Sequence, residues 1–99
     1  MAKYVILPGG KPLEGHESAQ AQVVTKDGIS VLVSYNTVVA RLDNEGWLTV
    51  SGLYSMTTRR HIRWFLEEYC NGTCFSVARD VCVADNMRYN IHTAEVQPI

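Results

Sequence analysis

Three closely spaced turns dominate what this chain can fold into. Lys26-Asp27-Gly28, Ser34-Tyr35-Asn36 and Asp43-Asn44-Glu45-Gly46 cut residues 20–51 into runs of five to seven residues rich in β-branched side chains. Gln20–Thr25 reads as a strand and Gly28 supplies the positive φ of a hairpin turn. Ile29–Ser34 places Ile29, Val31 and Val33 on one face and Ser30, Leu32 and Ser34 on the other. Thr37–Leu42 follows, and Trp47–Ser51 alternates Trp47, Thr49 and Ser51 against Leu48 and Val50. Runs this short, joined by turns this tight, predict an antiparallel meander.

The next segment changes period. Ile62, Phe65, Leu66 and Tyr69 recur at helical spacing, and Asn71-Gly72 offers a left-handed stop. The expected fold class is therefore α+β: a small antiparallel β-meander of three to five strands packed on one main α-helix at about 57–70. Val31, Val33, Val39, Leu48 and Val50 are the expected sheet-side core. Leu32 and Val33 are both apolar, which hints that the second face is covered as well, as a homodimer would do. Lys3–Leu7 reads as a short strand, 8–18 as a loop, Met87–Thr93 as a closing strand and 95–99 as a frayed end. Phe75–Ala84 fits a strand through Phe75, Val77, Val81 and Val83. It fits a helix through Cys74, Val77, Ala78 and Val81 equally well. The whole chain, 1–99, reads as one domain.

Composition narrows the function classes. The 99 residues are 46% hydrophobic and 19% charged, which excludes a disordered or low-complexity chain. A formal charge of −1 argues against a net-basic nucleic-acid binder but leaves room for a local basic patch. The apolar run Tyr4–Leu7 is too short for a signal peptide, and no stretch is long enough to span a bilayer. A cytoplasmic location with reduced Cys70, Cys74 and Cys82 is the expectation; three cysteines cannot all pair within one chain.

The helix start carries most of the functional information: Tyr54-Ser55-Met56-Thr57-Thr58-Arg59-Arg60-His61-Ile62-Arg63. A helix N-terminus is partially positive and presents free N–H groups, so acidic residues belong there. Here Arg59, Arg60 and Arg63 stand in the first two turns, while Glu67 and Glu68 stand near the C-terminal end. Each misplaced charge costs roughly 0.3–1 kcal/mol when exposed. Free amides, hydroxyls and guanidinium forks together suit a phosphate. At about 100° per residue the three arginines lie opposite the apolar stripe. Ser55, Thr57 and Thr58 are equally what helix capping requires, and Arg63 and Glu67 are spaced for an i,i+4 pair.

The candidate ligand-binding residues are Tyr35, Asn36, Thr37, Tyr54, Ser55, Thr57, Thr58, Arg59, Arg60, His61 and Arg63. Tyr35-Asn36-Thr37 forms a bend or bulge able to aim side chains at a site, or a plain turn. Trp64 lies off the apolar stripe and is the candidate partner contact. The spacing of Cys70, Cys74 and Cys82 matches no standard zinc knuckle, and no metal or cofactor is expected. A Cys–His pair within the helix fails on distance, since Cys70 lies about 13 Å along the axis from His61. Hydrolysis or transfer at Cys82 or His61 stays open as an enzymatic alternative.

The run Ser34-Tyr35-Asn36-Thr37-Val38-Val39-Ala40, with Tyr54-Ser55-Met56-Thr57-Thr58-Arg59-Arg60-His61-Ile62 after it, resembles a pattern in small uncharacterised proteins of bacteriophages and prophages. It covers residues 29–66. The resemblance implies a phage-type accessory protein acting in the bacterial host cytoplasm, and carries over no catalytic residue. It suggests a non-catalytic binder that antagonises a host defence component through a phosphate-containing ligand, either a nucleotide signal or a nucleic-acid backbone. The alternative is an anti-CRISPR-like inhibitor that contacts a defence protein directly, with no small ligand.

Overall fold

The structure is a computed structural model and describes residues 7–17 and 20–99. In chain order its elements are β1 (Gly10–Pro12), β2 (Ala21–Lys26), β3 (Ile29–Ser34), β4 (Thr37–Leu42), β5 (Trp47–Val50), α1 (Met56–Tyr69), a π-helical segment (Val77–Ala84), β6 (Met87–Asn90) and β7 (Val96–Pro98). The strands form one sheet ordered as in the chain, with every neighbouring pair antiparallel.

This corrects the expected fold class. Among the described residues the sheet has seven strands, not three to five, and a π-helical segment joins α1. The additional strands are the edges. β1 falls within the expected loop 8–18, and β7 occupies the expected frayed end 95–99. Each has three residues and one contains Pro12, the other Pro98, so neither is long enough to show alternation. The strand expected at Lys3–Leu7 lies outside the described residues except for Leu7, which is not in a strand. The segment 75–84, left between strand and helix, is helical in type, with Ala78 and Cys82 buried at i,i+4.

Two turns set the register of the central strands. Asp27 and Gly28 have φ of 55° and 80°, and Tyr35 and Asn36 have 49° and 67°. Two consecutive left-handed residues make the two-residue hairpin turn whose twist matches the flanking strands. Lys26 therefore pairs with Ile29, and Ser34 with Thr37. The next connection relies on Asp43, whose Oδ1 accepts from the N–H groups of Glu45 and Trp47, both at 2.9 Å.

The buried face is not the one the alternation of β3 suggests. Ala21, Val23, Leu32, Ala40, Leu48 and Val50 line the inner face, with Ser34 at its end. Val31 and Val33 point the other way, where Val33 is buried as expected and Val31 is half-buried. A bulge in β4 leaves Val39 without a partner between Val33↔Val38 and Leu32↔Ala40, so Val39 and Ala40 are both buried. On the outer face Gln22 is fully buried, and its Oε1 accepts the Leu7 N–H at 2.9 Å. A Cβ on Gly10 would strike that same Gln22 oxygen, so the chain crosses there because residue 10 has no side chain.

The α-helix covers β3 and β4, and the π-helical segment covers β5 and β6. Ile62, Phe65 and Leu66 are at most 1% exposed, each contributing roughly 1.5–3 kcal/mol by leaving water. Ser55 caps the helix by accepting the Thr58 N–H at 3.2 Å. Its end is closed by Asn71 at φ 55° and by the Gly72 N–H donating to Leu66 O at 3.0 Å. No helix among the described residues is long and apolar enough to cross a membrane.

Candidate functional site

The hairpin turn at Tyr35-Asn36 and the first turns of α1 meet through a buried polar chain. Ser55 Oγ donates to Thr58 Oγ1 at 3.2 Å; Thr58 Oγ1 lies 3.3 Å from Ser34 Oγ; Ser34 Oγ lies 2.8 Å from His61 Nδ1. Run from Ser55 to Thr58, from Thr58 to Ser34 and from Ser34 to His61 Nδ1, the hydroxyl protons give each acceptor in the chain a donor, and that direction assigns the ring proton to Nε2. Ser34, Thr58 and His61 are at most 4% exposed. Burial, then the nearby Arg60 charge, then His16, hold the His61 pKa below the ordinary histidine value, so the ring is neutral at neutral pH. The Ser34–His61 pair has the hydrogen bond of a nucleophile and base but lies beneath the surface, where it fastens α1 to the end of β3.

Rings extend this cluster to the surface. Tyr35 and Trp64 sit 5.6 Å and 5.5 Å from the His61 ring, and His16 stacks on Trp64 at 3.6 Å and 8°. A cavity of about 440 Å³ opens beside that stack, lined by Glu14, Gly15, His16, Trp64, Glu67 and Glu68. Glu68 Oε1 accepts the Glu14 N–H at 2.7 Å and so holds this loop against the helix. Trp64 is half-buried and one face of its indole is covered by His16, so less of it is offered to a partner than its position off the apolar stripe suggests.

The arginines form a separate feature. Met56, Arg59, Arg60 and Arg63 line a groove on the outer side of α1. The first turn contains no acidic residue and the last turn no basic one, so the charge order runs against the helix dipole along the whole element. The possible Arg63–Glu67 pair is not formed; the Arg63 guanidinium lies over the Phe75 ring at 4.5 Å. Among the described residues the ion pair is Arg79–Asp80, and Arg59 and Arg60 have none. Tyr54, 64% exposed at φ 48°, stands at the helix entrance with its hydroxyl donating to Ser51 Oγ at 3.4 Å.

The sequence-predicted residues thus fall into two sets. Thr58 and His61 belong to the buried chain, with Ser55 at its outer end. Arg60, Arg63 and Tyr54 are exposed, as are Asn36 and Thr37; Arg59 and Thr57 are half-buried. Sequence reasoning missed Ser34 and His16. Ser34 ends an alternating strand and its partner lies 27 residues away, while His16 sits in a segment with no period at all.

The cysteines take no part in either set. Burial raises the Cys70 thiol to about 12, helped by Cys82, and the Cys82 thiol to about 11. Cys74 is exposed and its pKa is lowered, chiefly by the Ser76 hydroxyl that donates to its sulfur at 3.1 Å. Among the described residues no cluster of His, Cys, Asp or Glu could hold a metal ion.

Residues 12–79 match DUF8033, a family of unknown function. The chain belongs to that family. The DUF8033 match runs from the end of β1 into the π-helical segment, and so takes in the buried chain, the ring stack and the arginine groove together. No curated protein and no solved structure matches the chain.

Proposed function

We propose that this DUF8033 chain is a non-catalytic binding protein that takes a phosphate-bearing ligand on the basic outer side of the first turns of α1. The observation that carries this reading is the groove of Met56, Arg59, Arg60 and Arg63, in which Arg59 and Arg60 have no carboxylate partner among the described residues. That groove lies at the end of the helix where the dipole and the uncapped amides favour an anion. Guanidinium forks bind phosphate oxygens two at a time, and the exposed ring of Tyr54 offers a base a face to stack on. In the setting suggested by the resemblance to small phage proteins, the ligand is a signalling nucleotide or a nucleic-acid backbone in the host cytoplasm, and its capture blunts a defence response.

Native mass spectrometry of gently purified protein tests this. A retained mass matching a nucleotide, absent from the Arg59→Ala/Arg60→Ala variant, is the expected result. Calorimetric titration with pyrophosphate should show binding that the same variant lacks. Equal pyrophosphate affinity in wild type and variant overturns the reading.

A second reading has its own observation. Met56, in the same groove, and Tyr54, at the entrance to the same helix, are 74% and 64% exposed, and Tyr, Met and Arg are the residue types enriched in protein interfaces. A direct inhibitor of a defence effector would use them as anchors. A stable complex with such an effector, unchanged by pyrophosphate, would favour it over the first.

A further inference from the structure

Beside the arginine groove lies a second cavity, of about 350 Å³, and Arg63 is a wall of both. The other walls of the second cavity include the rings of Trp64 and Phe75 and the side chain of Glu67. Arg63 and Glu67 stand at the i,i+4 spacing of a helix ion pair. The pair does not form, because the Arg63 guanidinium lies over the Phe75 ring at 4.5 Å. Glu67 is exposed and makes no hydrogen bond or ion pair with any described residue, so both of its carboxylate oxygens are open to a ligand.

The two hollows suit different parts of one molecule. The groove gathers three guanidinium groups, which suits phosphates set close together. The neighbouring cavity, with aromatic walls and a carboxylate, suits a planar ring that carries N–H groups on its edge. Arg60 and Glu67 are about 10 Å apart along the axis of α1 and within about 20° of one another around it. A nucleotide with its phosphates on Arg60 therefore reaches Glu67 with the edge of its base.

The acceptor set decides which base. An ionised carboxylate offers two acceptors and no donor. Guanine presents two adjacent donors, N1–H and the N2 amino group. Adenine and cytosine each set a ring acceptor beside their amino group, and uracil flanks its one N–H with two carbonyls. Each of these turns a lone pair toward the carboxylate and leaves it unsatisfied. The Tyr54 ring can stack on any base; Glu67 can tell one base from another.

We propose that the ligand of this site is a free guanine nucleotide, with its phosphates on Arg59, Arg60 and Arg63 and its N1–H and N2 amino group donating to the Glu67 carboxylate. This rests on the anion reading above and adds the base to it. A nucleoside diphosphate concentrates its charge at one end, as the three arginines do, whereas a nucleic-acid strand spreads one charge per nucleotide along its length.

Calorimetric titration of the full chain with pyrophosphate, GDP, ADP and the RNA trinucleotide UGU tests the proposal. GDP should bind about tenfold or more tightly than ADP, and more tightly than UGU. Glu67→Gln keeps the shape of the side chain but offers one acceptor and one donor, which matches the edge of adenine. That variant should lose about tenfold in GDP affinity and narrow or reverse the preference over ADP. Its pyrophosphate affinity should stay within about threefold of wild type, because an exposed charge about a Debye length from Arg60 is largely screened. Glu67 is exposed, and a wild-type circular dichroism spectrum verifies that the variant is folded. Equal affinity of the wild type for GDP and ADP overturns the proposal. So does a GDP preference that survives Glu67→Gln, or tighter binding of UGU than of GDP. If pyrophosphate binds and Arg59→Ala/Arg60→Ala abolishes that binding while GDP and ADP bind alike, the anion reading stands and the guanine assignment alone fails. If pyrophosphate does not bind, both fail.

Discussion

The two central hairpins have the same turn geometry and different turn chemistry. Between β2 and β3 the left-handed positions are Asp27 and Gly28; between β3 and β4 they are Tyr35 and Asn36. Asp-Gly is a preferred pair for such a turn, and a tyrosine is a poor choice, since a left-handed non-glycine residue costs roughly 1–2 kcal/mol. The first turn is linked across its strands by a half-buried contact at the end of the inner face, Thr25 Oγ1 to Ser30 Oγ at 2.8 Å. The second sits above Ser34 and His61, with the Tyr35 ring against the imidazole. Local stability is served at one turn. At the other, strain is tolerated where a side chain is needed beside α1, which is where strain tends to collect in functional proteins.

The strongest way to break this contrast is to remove the tie beneath the second hairpin. His61→Ala empties a buried site and leaves Ser34 with Thr58 alone, and should cost about 2–4 kcal/mol in urea denaturation. Thr25→Ala, the matching change at the first hairpin, should cost under about 1 kcal/mol. A result in which both variants lose equally would remove the distinction. Next in size, Gly28→Ala should destabilise by about 1–2 kcal/mol, because its φ is 80° and the new Cβ would stand 3.0 Å from Asn44 Cβ. In the opposite direction, Tyr35→Asn/Asn36→Gly installs a preferred turn pair and should stabilise by about 0.5–1 kcal/mol while leaving β3 and β4 paired. Destabilisation there would show that the Tyr35 ring stabilises more than its backbone costs.

The smallest expected effect is on pH dependence. With the His61 pKa below its unfolded value, the unfolded chain binds the proton first as pH falls. The contribution of the neutral ring is therefore complete above the ordinary histidine value of about 6.5. It is lost progressively as pH drops from there through the lowered folded value. The melting temperature of wild type should decline over that window more steeply than that of His61→Gln, whereas Thr25→Ala should follow wild type. Parallel profiles for wild type and His61→Gln would place the titration elsewhere.

Turn chemistry is local, which is why the hairpins and the limits of β3 and β4 were legible from residues 26–43. The buried face of β3 was not. Ser30-Leu32-Ser34 looks like the wet side of a strand, yet Ser30 finds Thr25 and Ser34 finds His61, so two hydroxyls go inside with Leu32. Edge strands of three residues carry no period, and Ala78 with Cys82 has a spacing that α- and π-helical turns share. At the candidate site, the reversed charge of α1 was readable because it is a property of one element. The division between an outward arginine groove and a buried Ser34–His61 chain was not, because it depends on which strand end the helix lies on.

The meander order has a consequence for the sequence of events in folding. Each strand from β1 to β5 pairs with its neighbour in the chain, so these contacts form between residues close in sequence. β6 must instead find β5 across everything between Val50 and Met87, a closure whose length-dependent cost is about 3 kcal/mol. α1 and the π-helical segment lie inside that closure and rest on the sheet already built. The last two strands are thereby the late arrivals, and amide protons in β6 and β7 should exchange through openings that leave β2 to β4 protected.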